Sequence, residues 1–163
     1  MVKKITIFAT VVFIFISCLA LPVSADYQPG NQATNELGNI QYYADGSYSV
    51  TTISIKESDR ATVKTISKDV KYYDSDGSLA VTLTVTGVFN VGSGSVTCTS
   101  ATYSTVSHQS NWSIVSPSAS HANHGSYATA TASGTAKKKV LGITIKSVSL
   151  SVTITCNSDG SYS

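Results

Sequence analysis

The chain has little charge: 12% of its 163 residues are charged, with eleven Lys/Arg against nine Asp/Glu. Cysteine and proline number three each, and methionine and tryptophan one each. Each shortage excludes something. So few cations, nearly matched by anions, exclude a protein that grips nucleic acid by its phosphates. Three cysteines without a C-x-x-C pair exclude a disulfide-dense scaffold, a four-cysteine zinc site and thiol redox catalysis. No G-x-S-x-G, H-E-x-x-H, Walker-type loop or dinucleotide-binding glycine pattern is present, so the usual hydrolase, metalloprotease and nucleotide signatures are absent.

What is present begins with an address. Lys3 and Lys4 precede an apolar run from Ile5 to Leu21. Pro22 breaks the run, and Val23-Ser24-Ala25 sets small residues before Asp26, the arrangement a signal peptidase reads. Residues 1–25 are therefore expected to be a cleaved signal peptide and the protein to be secreted. An uncleaved membrane anchor and lipid attachment at Cys18 are the alternatives. Phe15-Ile16-Ser17 matches a lipoprotein signal poorly, and no LPxTG-like motif or apolar tail argues for wall attachment. Without the leader, 138 residues carry nine cations and nine anions and are neutral, with Cys98 and Cys156 as the only thiols. In an oxidising compartment these two are expected to form a structural disulfide.

Serine and threonine supply 43 of those 138 residues. Such a composition can mean a disordered stalk, but periodicity argues otherwise. Leu79, Val81, Leu83 and Val85 alternate with Ala80, Thr82, Thr84 and Thr86, and Val148 to Cys156 alternates with Ser149, Ser151, Thr153 and Thr155. Period two with one apolar and one hydroxylated face is the pattern of half-buried strands. Strands are predicted near 47–56, 61–73, 78–91, 94–107, 112–118, 125–139 and 143–156. Asp45-Gly46-Ser47, Asp76-Gly77-Ser78 and Asp159-Gly160-Ser161 place glycine where a turn needs positive φ. Residues 26–40 read as a flexible polar entry arm and 41–163 as one domain. The fold class expected is all-β, a two-sheet antiparallel β-sandwich with one disulfide.

Trp112 follows Cys98 by fourteen residues, and Cys156 lies 44 residues further on. This spacing resembles the cysteine–tryptophan–cysteine pattern of immunoglobulin domains, which implies a two-sheet architecture with Trp112 packed near an inter-sheet disulfide. Ile154 stands where that family has a tyrosine, so the topology stays open. Tyr72–Leu79, Val96–Ser100 and Val140–Ile143 leading to Thr155-Cys156 also resemble stretches of small secreted proteins of Gram-positive bacteria. That resemblance spans roughly residues 70–163 and implies export without implying any catalytic residue.

Three groups of residues could carry chemistry. His108, His121 and His124 share a stretch with Asn111 and Asn123, but no third ligand has a fixed position, so no metal and no cofactor is expected. Asp74-Ser75-Asp76-Gly77 resembles the start of a calcium loop, but the twelfth position is Val85, so a turn is expected. Lys137, Lys138, Lys139, Val140, Leu141, Ile143, Ile145 and Lys146 form the third. Leu141-Gly142 reads as a hairpin turn, with four lysines around an apolar tip that suits an anionic membrane or a protein partner. In the alternative, the apolar residues fold inward and the lysines guard an edge strand. Tyr42, Tyr72 and Trp112 are candidates for an aromatic surface that could stack on sugars, or for the core.

The sequence therefore predicts a secreted, non-enzymatic β-sandwich that binds an unknown protein, glycan or membrane surface and no nucleic acid. A membrane-active effector, toxin- or bacteriocin-like, working through the 137–146 hairpin is the alternative, and an extracellular hydrolase comes third.

Overall fold

The computed structural model describes residues 36–57 and 62–163. The leader, Cys18 and the first ten residues of the expected arm lie outside them. Eight antiparallel strands follow one another: β1 (Glu36–Tyr42), β2 (Tyr48–Glu57), β3 (Val63–Tyr73), β4 (Leu79–Gly92), β5 (Ser95–Ser107), β6 (Trp112–Asn123), β7 (Tyr127–Val140) and β8 (Ile143–Asn157). They form a five-stranded sheet in the order β1-β2-β3-β4-β5 and a three-stranded sheet in the order β6-β7-β8. Each sheet is a meander, so the immunoglobulin-like spacing is not accompanied by Greek-key crossings.

The alternation seen in the sequence builds the space between the sheets. Ile66, Val70 and Tyr72 of β3 and Val81, Leu83, Val85 and Phe89 of β4 face Leu150, Val152, Ile154 and Cys156 of β8, all buried. Small residues complete the fit. The inward row of β7 is Ala128, Ala130, Ala132, Gly134 and Ala136, and a Cβ on Gly87 would come within 2.5 Å of the Phe89 ring and 2.8 Å of Ala130. Large rings against bare positions is how a thin interlayer reaches close packing. The hydroxylated rows face outward and pair across strands: Thr131 with Thr153 at 2.9 Å and Ser67 with Thr86 at 2.8 Å.

Several expectations are corrected. β1 begins at Glu36, inside the segment read as arm, because a polar strand with little alternation carries no period-two signal. β6 runs on to Asn123 instead of stopping near 118: the chain passes Pro117 in a bulge, with Ser116 at φ 51°, and then resumes pairing. The expected disulfide is not seen here. Cys98 and Cys156 are buried free thiols, the first donating to the Ser100 carbonyl at 3.3 Å and the second to the Asn157 carbonyl at 3.8 Å. Burial pushes both thiols above their ordinary pKa. Trp112 is not beside them either. It pairs with Lys138 of β7, whereas Cys156 pairs with Ala128, ten residues and about 33 Å away along that strand.

Candidate functional site

The two strands of the 137–146 hairpin meet at a two-residue turn. Leu141 and Gly142 both have positive φ (50° and 82°), and Val140 pairs with Ile143 across them. Such a turn matches the right-handed twist of its strands but favours Asn and Gly, so leucine at the first position carries strain of about 1 kcal/mol. Leu141 is 98% exposed, and Ile143 and Ile145 are 69% and 59% exposed. With Val140, they make an aliphatic tip that does not fold back into the core.

The lysines divide into two pairs, which corrects the expected four-lysine collar. Lys137 and Lys139 stay on the hairpin's flank, the latter exposed. Lys138 and Lys146 turn inward at its base. Lys138 Nζ donates to Asp74 Oδ2 at 2.7 Å, and Lys146 Nζ donates to Asp74 Oδ1 at 3.2 Å and pairs with Asp45. The Asp74 side chain is only 6% exposed. Burial raises its carboxyl, but hydrogen bonds from Lys138, the Ser75 N–H and Lys146 outweigh that and hold it at about 2. Desolvation lowers Lys146, but the Asp45 and Asp74 carboxylates outweigh it and shift the lysine upward. Lys146, together with the Ser47 hydroxyl and N–H, lowers Asp45.

Aromatic rings wall this cluster. Tyr72 and Trp112 lie 5.3 Å apart between centroids, with Lys146 5.5 Å from the Tyr72 ring and Lys138 5.9 Å from the Trp112 ring. Both aromatics are buried, so neither is a surface platform, and of the three candidates only Tyr42 is exposed. Among the described residues, Tyr72 Oη and Trp112 Nε1 have no hydrogen-bond partner. The base of the hairpin is thus clamped between two turns (Asp45 after β1, Asp74 after β3) and two rings, while its tip stands in solvent.

Asp74 was readable in sequence only as a turn residue. With Asp45, it is also an anion that ties the larger sheet to the smaller one, 64 residues away in the chain at Lys138. The histidines do not converge. His108 hydrogen-bonds Thr82 at 2.9 Å, and His124 stacks on Tyr127 at 4.4 Å at the far end of the β6–β7 pair. Among the described residues, no group of three or more His, Cys, Asp or Glu is placed to hold a metal ion. No family model, curated protein or solved structure matches the chain.

Proposed function

We propose that this protein is an exported, non-enzymatic binding module whose contact surface is the tip Val140, Leu141, Ile143 and Ile145. The observation that carries this reading is Leu141, fully solvated in a backbone conformation that leucine disfavours. Strain at an exposed apolar residue does nothing for the fold and suits a contact made elsewhere. Anchoring Lys138 and Lys146 beneath the tip supports the same reading, since a rigid loop loses less entropy on binding. The test is capture of membranes and purified surface proteins by the intact protein. Leu141→Asp, which touches no core residue, should abolish capture without changing the melting temperature; unchanged capture overturns the reading.

The composition of the tip favours a lipid interface as a second reading. All four residues are aliphatic, without the rings that stack on sugars, and Lys137 and Lys139 stand nearby for phosphates. Co-sedimentation with vesicles of phosphatidylglycerol and phosphatidylcholine tests it, and equal binding by wild type and Leu141→Asp removes it. Export also predicts oxidation of Cys98 and Cys156, which belong to one core at the end away from the tip. Alkylation of the denatured, exported protein followed by mass measurement should find no free thiol, and two alkylated cysteines would refute the disulfide.

A further inference from the structure

The two sheets are unequal, and the mismatch falls on one side. β8 packs over β3 and β4, and β7 over β4 and β5, while no strand of the smaller sheet packs broadly over β1 or β2. Between that overhang and β8 runs a groove of about 540 Å³, bounded by Ile40, Tyr43, Thr51 and Val70 on one side and Ser149 to Ser151 on the other. A second hollow of about 510 Å³ continues it past Tyr43 and Ser149 toward Lys146.

The β8 edge along this groove is bare. Thr155 exchanges both backbone hydrogen bonds with Ser163, and the Asn157 N–H donates to Ser161, so odd-numbered residues of β8 point their backbone groups away from β7. Pairing with β7 is regular from Asn157 back to Ser147, so Ser147, Ser149, Ser151 and Thr153 present theirs to the open side, the first three along the two hollows. No partner meets these groups among the described residues. The segment Ser147–Thr153 has no proline, charge or bulge, the usual protections of an edge strand. That this edge accepts a strand is visible beside it, where Tyr162 bridges Cys156 in antiparallel sense.

We propose that the groove receives a single extended peptide segment from a partner, which adds a fourth strand to the smaller sheet along β8. Pairing to an exposed edge is a general mode of peptide recognition, in which backbone bonds supply affinity and alternate side chains supply specificity. A second copy of this chain cannot fill the place by pairing its own β8 in the two-fold manner. Its larger sheet would have to occupy the layer that β1 and β2 already hold. The occupant is a lone strand, and Lys68 supplies its chemistry. On β3 it shares the inward face of Ile66, Val70 and Tyr72, two residues from Val70 in the groove wall, and makes no ion pair among the described residues. β3 is a central strand, so an inward lysine there does not protect an edge, and desolvation lowers its pKa. A carboxylate on the incoming strand would satisfy it.

The probe is a dye-labelled, amidated peptide, Val-Thr-Val-Thr-Glu-Thr-Val, titrated into the intact protein by fluorescence anisotropy, with a Gln-for-Glu peptide alongside. Saturable binding is expected, weakened at least about tenfold by Ser149→Pro, which removes an outward N–H and no bond to β7. Thr51→Lys, which fills the groove floor without touching the edge, should weaken it similarly. Lys68→Met should erase the preference for Glu over Gln. Leu141→Asp should bind the peptide normally, which separates this site from the tip. Absence of saturable binding, or binding unchanged in both groove variants with their circular dichroism intact, overturns the proposal. So does concentration-dependent dimerisation that Ser149→Pro abolishes. Equal affinity of the wild type for both peptides overturns the role of Lys68.

Discussion

Four tight turns of this molecule can be set side by side, and three of them are the same object. Asp45-Gly46-Ser47, Asp76-Gly77-Ser78 and Asp159-Gly160-Ser161 each place glycine at φ near 80°, while the aspartate Oδ1 accepts from both the N–H and the hydroxyl of the serine. Each closes with the same pair of backbone bonds, as from Tyr43 N–H to the Ser47 carbonyl and from Gly46 N–H to the Tyr43 carbonyl. This is a three-residue hairpin loop that satisfies its own polar groups. The fourth, Leu141-Gly142, reverses the chain equally well and satisfies nothing with its side chain. The other described reversals, at Ser93-Gly94, His108–Asn111 and His124–Ser126, are also built from polar residues and glycine, so Leu141-Gly142 is the one that is apolar and exposed among the described residues. That contrast is the physical basis for placing the contact surface at the tip.

The contrast can be broken most forcefully from below. Asp74→Ala should cost about 3 kcal/mol, because it leaves Lys138 and Lys146 half-buried with one carboxylate fewer between them. The urea midpoint should fall accordingly, whereas Leu141→Asp should leave it within about 0.5 kcal/mol of wild type. Equal losses from the two variants would mean that the tip is part of the fold after all. Gly87→Ala comes next: with Phe89 at 2.5 Å and Ala130 at 2.8 Å, overpacking should cost about 2 kcal/mol. Thermal melts of the Gly87 and Gly142 alanine variants would separate crowding from backbone strain. Gly142 has no atom within 4 Å of a built Cβ and should lose only about 1 kcal/mol, through its positive φ.

Acid offers a third handle. The folded carboxyl of Asp74, at about 2 against an ordinary 3.8, contributes about 2 kcal/mol. Because the folded value is depressed, that contribution is complete above pH 4 and is lost as pH falls through about 2. Asp74→Asn should flatten part of this slope in acid titrations of stability. Among the described residues, Asp45, Asp76 and Asp159 add to it; their carboxyls are also lowered by their serines and, for Asp45, first by Lys146. The smallest expected effect is the most discriminating. Leu141→Asn should raise stability by about 0.5 kcal/mol, since asparagine tolerates the left-handed turn, and should still abolish capture at the tip. A variant that is more stable yet binds as before would remove the reason for assigning the tip a function.

Seven of the eight strands were readable from alternation and turn residues, because those signals are local. Thr next to Val at period two specifies a pleated surface with one wet face, and Asp-Gly-Ser specifies its own turn. β1 was missed because Asn39 and Gln41 flank Ile40 without a run of alternation, so that strand exists only by pairing with β2. The hairpin turn at Leu141-Gly142 was readable too, but whether its apolar residues face solvent or fold inward was not; the structure exposes them.

The lysine collar was not readable. Lys138 and Lys146 are indistinguishable in sequence from Lys137 and Lys139. Only the apposition of two sheets brings Asp74 and Asp45 beneath them, and only the pleat of β7 and β8 turns those two side chains inward. Trp112 and Tyr72 were ambiguous for the same reason, because an aromatic residue is core or surface according to what stands across from it. By itself, then, the sequence determined the elements, their turns and the neutral, hydroxyl-rich character of their outer faces, all set by residues within a few positions of one another. Tertiary structure alone decided which charges pair, which rings are buried and that the smaller sheet leaves a strand-wide groove. Those outcomes depend on contacts between residues tens of positions apart, and local chemistry carries no information about such separations.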